Sequence, residues 1–442
     1  MALLQHRRPR RSGTVVVAVA VCLTGVLGVV ALTLDGGLVV DKRRQVQAAA
    51  DAAALAAGAE LFATFLTNGG LDEGPLPNKT GPGAGAIAQL AREVAKSNGF
   101  EDGVNGVSVQ VFIPPQTGLF IGVKGHAEVR ISTDQKRFFS TVFGSSNATA
   151  IGARAVSRGV RTTINNGIIV LDPDQDAAFS TGGGALATVK GSAAILVNSN
   201  HAGAMNANGG GTVTSQAGYE VTGGYTTPGG GSFTGPITTG VEPTPDPLRF
   251  LPAPDPSTLI VRNTKRINHS SASTLNLQPG IYYGGVSVTG KGDVNMAPGI
   301  YYFAGGFSFS GQGNLTGSKV LIYNHPTSNS DTISLSGGGT NGGQINLSPM
   351  DEGPYKGIVI FQSRSTSDQP DISITGNGGH SLYISGTFYT PEAHLKVTGN
   401  GDQDTIGSQY ISKTLALGGN GNFYVDWDPN VVPGIRQVWL VE

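Results

Sequence analysis

Cysteine and charge are both scarce in this sequence. The 442 residues include one cysteine, Cys22, and it lies inside an apolar run, so a disulfide scaffold and a thiolate zinc site are excluded. Charged residues make up only 13% of the chain, and 29 basic against 30 acidic side chains leave a formal charge of -1. This balance creates no global field that would gather nucleic acid, and we expect no nucleic-acid partner.

The common catalytic motifs are missing as well. The sequence contains no HExxH, GxSxG or GxxxxGK[ST] segment, and its histidines are scattered. A chance GxGxxG carries no information in a chain with 67 glycines. We therefore predict no enzyme activity, and we assign no catalytic, cofactor-binding or metal-binding residues.

A partial calcium-loop spacing is the nearest approach to a metal site. Asp172, Asp174 and Asp176 have the one-three-five spacing with which such a loop opens. The loop also needs Gly at its sixth position and Glu at its twelfth, where this sequence has Ala177 and Gly183. The sequence therefore gives no structural metal here.

Three aspartates at intervals of 20 residues resemble a column of carboxylates on a β-helix. Asp331, Asp351 and Asp371 stand in different local contexts, and two of them precede a strand, as turn residues do. A catalytic carboxylate pair also needs a cleft and a partner at a fixed separation, which the sequence does not supply. We interpret all three as turn residues.

An uncharged run, mostly Val, Ala and Leu, extends from Thr14 to Leu34. As a helix its 21 residues span about 31 Å, which matches a bilayer core of roughly 30 Å. Arginines at positions 7, 8, 10 and 11 precede the run. These features predict a single transmembrane helix at 14–34 with a cytoplasmic N-terminus. A cleaved signal peptide is the alternative, although its apolar core would be shorter and would end at a small-x-small site.

A helix-forming segment rich in Ala, Leu, Gln and Glu follows at residues 41–66. Together with the anchor it predicts one nearly continuous helix in a first domain, residues 1–68, with Asn68-Gly69-Gly70 as the stop. The alanines either let another helix approach closely or are simply good helix formers. Residues 69–85, rich in Gly and Pro, are predicted to be a linker.

Residues 86–160 predict a small α+β domain. Ala86–Ser97 is amphipathic, and the alternating segments Val107–Ile113 and His126–Ser132 predict antiparallel strands. His126 stands alone among these strands. We expect it to face solvent rather than to act as a ligand or base.

Near-repeats with a period close to 20 dominate residues 161–442. Pro279–Tyr283 recurs at Pro298–Tyr302, and Val286–Val294 recurs at Phe307–Leu315. This period, with Gly and Asn at the corners, predicts a parallel β-helix or β-solenoid in which each rung covers the next. The regular spacing without two-residue hairpin turns disfavours an antiparallel sandwich.

A stretch rich in Pro and Gly at residues 223–256 interrupts the repeats. Proline cannot donate to a strand ladder, so we expect a long loop that leaves the stack. The fold class predicted for the whole chain is mainly β. It has an N-terminal transmembrane helix extended by an Ala-rich helix, a small α+β domain and a C-terminal β-solenoid.

Adjacent tyrosines in the repeats suggest a binding surface for cell-surface glycan. They are Tyr282, Tyr283, Tyr301 and Tyr302. Neighbouring residues of a strand point to opposite faces of the sheet, so we expect half of these rings to lie in the core.

The N-terminal residues follow an unusual order. An Arg-rich start and an apolar run lead into Leu34-Asp35-Gly36-Gly37 and then RRQVQAAADAAALAAGAEL. This order resembles the N-terminus of bacterial Flp pilus-assembly proteins of the TadE/TadG-like family. Later stretches such as PDPLRFLPAP and GTFYTPEAHLKVTGNG are similar to the Gly-rich parts of the longer TadG-related members. The LDPDQD stretch lacks the serines of members with a von Willebrand factor A domain, so metal-dependent adhesion is not carried over.

The resemblance implies a single-pass inner-membrane protein that works by assembly with other pilus-assembly proteins. We expect a structural protein, with most of the chain outside the cytoplasm and the solenoid serving as a scaffold or adhesive face. A glycan-binding module is the alternative, and a polysaccharide-cleaving enzyme is a less favoured one.

Overall fold

A computed structural model describes residues 14–67, 85–123, 125–139, 147–338, 343–364, 366–379, 381–401 and 403–442. The chain forms two compact units, Met1–Val160 with Arg436–Glu442, and Arg161–Ile435. The second unit is therefore an insertion into the sequence of the first. The predicted helix stop at Asn68-Gly69-Gly70 and the predicted linker up to residue 84 lie outside the described residues.

The first unit combines two helices with a four-stranded sheet. The helices are α1 (Thr14–Thr67) and α2 (Ala86–Ser97), and the strands are β1 (Ser108–Phe112), β2 (His126–Lys136), β3 (Ala148–Thr162) and the last strand of the chain, β33 (Ile435–Leu440). The sheet order is β1-β2-β3-β33, and the β1–β2 and β2–β3 pairs are antiparallel. Helix α1 continues through Gly36-Gly37, as the sequence predicted.

The second unit is a solenoid of parallel strands arranged on three faces. Face one contains β4 (Asn166–Val170), β7 (Ala194–Val197), β10 (Tyr219–Val221), β13 (Ile237–Thr239), β14 (Val261–Asn263), β17 (Gly280–Tyr282), β20 (Gly299–Phe303), β23 (Val320–Asn324) and β26 (Ile358–Gln362). Face two contains β5 (Phe179–Thr181), β8 (Met205–Ala207), β11 (Tyr225–Thr226), β15 (Ile267–His269), β18 (Val286–Val288), β21 (Phe307–Phe309), β24 (Ile333–Gly337) and β27 (Ile372–Gly376).

Two long strands, β29 (Thr387–Gly399) and β31 (Gln409–Gly419), pass from face one into face two. Face three contains β6 (Leu186–Lys190), β9 (Thr212–Ser215), β12 (Ser232–Thr234), β16 (Leu275–Leu277), β19 (Val294–Met296), β22 (Leu315–Gly317), β25 (Ile345–Leu347), β28 (Leu382–Ile384), β30 (Asp404–Ile406) and β32 (Asn422–Asp426). The fold class is therefore confirmed as mainly β with a solenoid.

The rungs do not stack in chain order. Face three runs β12-β9-β6-β32-β30-β28-β25-β22-β19-β16, so β6 of the first rung pairs with β32 of the last. Face one has the same seam, where Ile168 of β4 pairs with Tyr410 of β31. The first three rungs in sequence therefore stack on top of the last rung and extend the solenoid beyond it.

The segment between these two blocks, residues 240–260, is named the strap. It links β13 at one end of the stack to β14 at the other end. Its side chains Leu248 and Leu251 pack in a cluster with outward-facing residues of face one, among them Ile169, Tyr323 and Tyr389. The strands of face one that contact this cluster are therefore buried on both sides, which explains runs such as Ile358–Gln362, where every residue is buried.

The predicted excursion at 223–256 is therefore wrong in two respects. Strands β11, β12 and β13 pair with earlier rungs, so its first part belongs to the stack. The remainder lies on face one as part of the strap, because a proline-rich segment that cannot donate to a ladder can still pack side chains against a sheet. The predicted solenoid also ends too late, because β33 joins the sheet of the first unit.

The predicted repeats differ in how well their register matches the structure. Val286 pairs with Phe307 and Val294 pairs with Leu315, the offset of 21 that the second repeat predicted. In the first repeat, Ile281 pairs with Tyr302 rather than with Ile300. The corner at Gly285 holds this register, since its φ is +74° and a Cβ there would lie 2.1 Å from the Gly305 carbonyl oxygen.

Candidate functional site

The N-terminal part of α1 exposes its apolar side chains. Val16, Leu23 and Val29 are 73%, 59% and 63% exposed. Within the described residues, α1 is the one helix long and apolar enough to cross a membrane, and none of its most apolar stretch is buried. In water such a surface would be unfavourable, whereas in a bilayer it matches the solvent.

The following part of α1 buries a row of small side chains in the first unit. The row is Val46, Ala49, Ala50, Ala53, Ala54, Ala57 and Leu61, all at most 1% exposed. These residues share one core with α2 and the sheet. The helix backbone comes very close to β3, because a Cβ on Gly159 would lie 2.0 Å from the Gly58 carbonyl oxygen. This alanine face therefore packs within the chain itself.

Asp35 marks the boundary between the two parts of α1. It is 5% exposed although it follows directly on the apolar run. Its carboxylate accepts hydrogen bonds from the backbone N–H groups of Phe138, at 3.3 Å, and Phe139, at 3.1 Å. The end of the apolar helix is thereby tied to the segment that follows β2.

A buried carboxylate, Glu128 of β2, lies at the opposite end of the sheet. Its side chain is fully buried and pairs with Arg130 at 2.8 Å and with Arg154 of β3 at 2.6 Å. It also accepts hydrogen bonds from the Gln116 N–H, at 2.8 Å, and from Thr117. Burial alone would raise the pKa of this carboxyl, but the hydrogen bonds from Arg130, Thr117 and Arg154 outweigh burial and lower its pKa to about 2.

The same network holds the last strand of the chain. Arg154 donates to Glu442 at 2.5 Å, and the Leu119 N–H donates to the other oxygen of that carboxylate at 2.9 Å. The backbone is paired too, since the Val441 N–H donates to the Val156 carbonyl at 2.8 Å. The sheet therefore holds the segments that lead into and out of the solenoid.

The sequence analysis missed Asp35, Glu128 and Arg154 as organising residues. A local signal was present for Asp35, a lone acid at the end of an apolar run, and for Glu128, which lies two positions before Arg130 on one strand. Nothing in the local sequence marked Arg154. His126, predicted to face solvent, is 4% exposed and stacks on Phe120 with ring centroids 4.7 Å apart. That prediction was wrong because the loop before β2 folds over the ring.

The aspartates of the partial calcium spacing act in local structure. The Asp172 carboxylate accepts hydrogen bonds from the N–H groups of Asp174 and Gln175, and Asp176 lies 3.0 Å from His201. Within the described residues, no cluster of three or more His, Cys, Asp or Glu side chains could hold a metal ion.

The side chains or backbones of the aspartates at intervals of 20 make separate local contacts. Asp331 accepts from Thr327 in its own turn, and Asp351 pairs with Lys319 at 2.6 Å on the surface. Asp371 lies beside Thr332, whose hydroxyl donates to its backbone carbonyl. These contacts agree with the interpretation of turn residues.

Three of the four tyrosines considered for glycan binding are buried. Tyr282, Tyr301 and Tyr302 are at most 6% exposed, and Tyr283 is 47% exposed. More than half lie in the core because the outer side of face one is covered as well. These residues form no exposed aromatic strip.

Comparison with known proteins gives a match to the N-terminal part of the chain, which contains the apolar helix. A family model described as putative Flp pilus-assembly TadE/G-like matches residues 13–60. No curated protein and no solved structure matches the chain. The match confirms the TadE/TadG-like resemblance for α1, and with the apolar helix it indicates a membrane-anchored, pilus-associated protein.

Proposed function

We propose that the chain is a single-pass structural protein of a Tad (Flp) pilus or a related surface system. Its N-terminus is cytoplasmic, the apolar part of α1 crosses the inner membrane, and the folded units lie outside the cytoplasm. The solenoid serves as a scaffold or adhesive face. The protein acts by assembly with other pilus components and not by catalysis.

The continuity of α1 is the observation that carries this proposal. One unbroken helix, Thr14–Thr67, contains both the exposed apolar surface and the buried alanine row. The sheet packed on that row also holds the strands on either side of the solenoid in sequence, β3 and β33. A structural protein needs such a direct attachment between its anchor and the part that it presents.

Site-specific photocrosslinking in cells tests the proposed assembly. A photoreactive residue at Val21, on the exposed apolar surface, should capture other pilus-assembly components in the membrane fraction. The matched control is the same Val21 variant without irradiation, which should capture none of them. Capture of no pilus component from Val21 would contradict the proposal. Release of the full-length chain by carbonate washing would contradict the anchor itself.

A further inference from the structure

Asp35 marks the position along α1 at which the helix would leave the hydrocarbon core of a membrane. The uncharged run before it spans about 31 Å as a helix, so Asp35 lies where a bilayer core of roughly 30 Å ends. The exposed apolar surface does not stop there, because Leu38 is 42% and Val40 is 53% exposed. This part of the helix therefore matches the interface between the hydrocarbon core and the headgroups.

Two phenylalanines are held at this level. The hydrogen bonds from their backbone N–H groups to Asp35 fix the height of Phe138 and Phe139. Their side chains are nevertheless 61% and 53% exposed. Two adjacent aromatic rings exposed beside an apolar helix would be costly in water, whereas aromatic rings are favoured at the membrane interface.

Several basic residues lie near Asp35 and the two phenylalanines. Lys136 and Arg137 directly precede the phenylalanines, and Arg43 and Arg44 are exposed on α1. These two arginines lie roughly 12 Å beyond Asp35 along the helix, within reach of lipid phosphates for a long side chain. At a lipid interface, aromatic rings are favoured near the headgroups, and basic side chains on the aqueous side of the rings can contact lipid phosphates.

From these positions we propose that Phe138 and Phe139 insert into the lipid interface and form a second membrane contact of the first unit. The inference rests on the proposed transmembrane position of α1. The occupant of this surface is the bilayer, because the surface continues directly from the lipid-facing side of the helix. The contact fixes the first unit against the membrane surface through its sheet as well as through α1.

Spin-label accessibility in lipid nanodiscs tests the proposal on the full chain. The nanodiscs contain phosphatidylcholine, and a nitroxide is attached at one cysteine at a time. Native Cys22 reports on the helix, whereas Phe139→Cys in a Cys22→Ala background reports on the proposed contact. Leu119→Cys in the same background is the matched control. Leu119 is 87% exposed and follows β1 at the end of the sheet where β2 begins, roughly 30 Å from the end near Phe139.

Oxygen, which concentrates in lipid, and a water-soluble nickel chelate distinguish the two environments. We expect the labels at positions 22 and 139 to be more accessible to oxygen than to nickel, and the label at 119 to show the reverse. If position 22 is in lipid but position 139 is open to nickel, the second contact is refuted and the anchor stands. Shielding of position 139 from both reagents would identify a protein contact and would also refute it. A water-exposed Cys22 would refute the anchor and, with it, this inference.

Discussion

The Tyr389 hydroxyl donates a 2.6 Å hydrogen bond to Asp246 across 143 positions of sequence. This bond ties the strap to face one of the solenoid. Arg364 completes the contact, donating to the Tyr389 oxygen at 2.8 Å and to the Arg249 carbonyl of the strap at 2.8 Å. Burial and the neighbouring Asp246 raise the pKa of Tyr389, so its hydroxyl remains a donor at physiological pH.

Removing Arg364 should loosen the strap. Its guanidinium also donates to the Leu248 and Leu251 carbonyls, so Arg364→Met leaves several strap carbonyls without a protein donor. We expect a loss of about 2 kcal/mol in local stability and tryptic cleavage after Arg249 that is about 30-fold faster.

Arg262→Met provides the matched control for this prediction. Arg262 lies two residues past the end of the strap, is exposed and donates to the Pro279 carbonyl at 2.8 Å, so its bond does not hold a strap carbonyl. Its replacement should leave cleavage after Arg249 unchanged. Equal cleavage rates in the Arg364→Met variant and the unmodified protein would show that the guanidinium does not hold the strap.

The seam between the first and last rungs should permit a circular permutation of the isolated solenoid. Successive rungs are joined by short connections, for example from Ser215 to Tyr219 and from Ile406 to Gln409. A chain that runs 261–426, then a three-residue link, then 166–239 should therefore fold without the strap. Cysteines replacing Thr188 and Tyr424, which pair across the seam, should form a disulfide in it.

The natural order with the same link is the control for the permutation. Ten rungs lie along face three, and at about 4.8 Å per step the strap crosses roughly 43 Å. A three-residue link reaches only about 10 Å, so 166–239 joined directly to 261–426 cannot form the native seam. That control should lack the disulfide. A folded permutant without the disulfide would contradict the stacking order.

The repeats of the solenoid could be predicted from the sequence, but the order of its rungs could not. Glycines at the corners and alternating apolar residues such as Val286 and Val288 are local signals, and they predict a rung wherever they occur. The pairing of Ile168 with Tyr410 joins the first rung to the last, and several other rungs present a similar apolar strand to which β4 could pair. The inner strips are mostly Val, Ile, Leu and Phe, with Tyr, Met and Ala at some positions, so no single residue specifies its neighbour.

In the candidate site, too, one part could be predicted from the sequence and another part could not. A long apolar run predicts its helix by length alone, and α1 continues through Gly36-Gly37 as expected. The bonds from Asp35 to the Phe138 segment and from Arg154 to Glu442 join residues more than 100 positions apart. Such contacts depend on the tertiary register of the sheet, and local sequence carries no record of it.

Neutralising Glu128 should destabilise the first unit. Glu128→Gln keeps the shape of the side chain but leaves Arg130 and Arg154 without their buried counter-charge. We expect a loss of about 3 kcal/mol in the free energy of unfolding of this unit, in the range for breaking a buried pair. Denaturant unfolding of the detergent-solubilised full chain measures it.

Glu101→Gln is the matched control, since Glu101 pairs with Lys96 on the surface at 2.6 Å. An exposed pair contributes at most about 1 kcal/mol, so this variant should unfold almost as the unmodified protein does. Equal losses in the Glu128 and Glu101 variants would show that the buried network does not stabilise the unit.

The stability of the first unit should also fall in acid through Glu128. Its pKa is lowered from 4.5 to about 2 in the folded chain, so the folded state binds its proton less readily than the unfolded state does. The resulting stabilisation, about 3 kcal/mol, is fully present above the unfolded pKa and is lost as the pH falls through the folded one. Unfolding free energies measured from pH 6 down to 2 should therefore converge for the unmodified protein and Glu128→Gln. Curves that stay parallel over this range would mean that another group controls the acid transition.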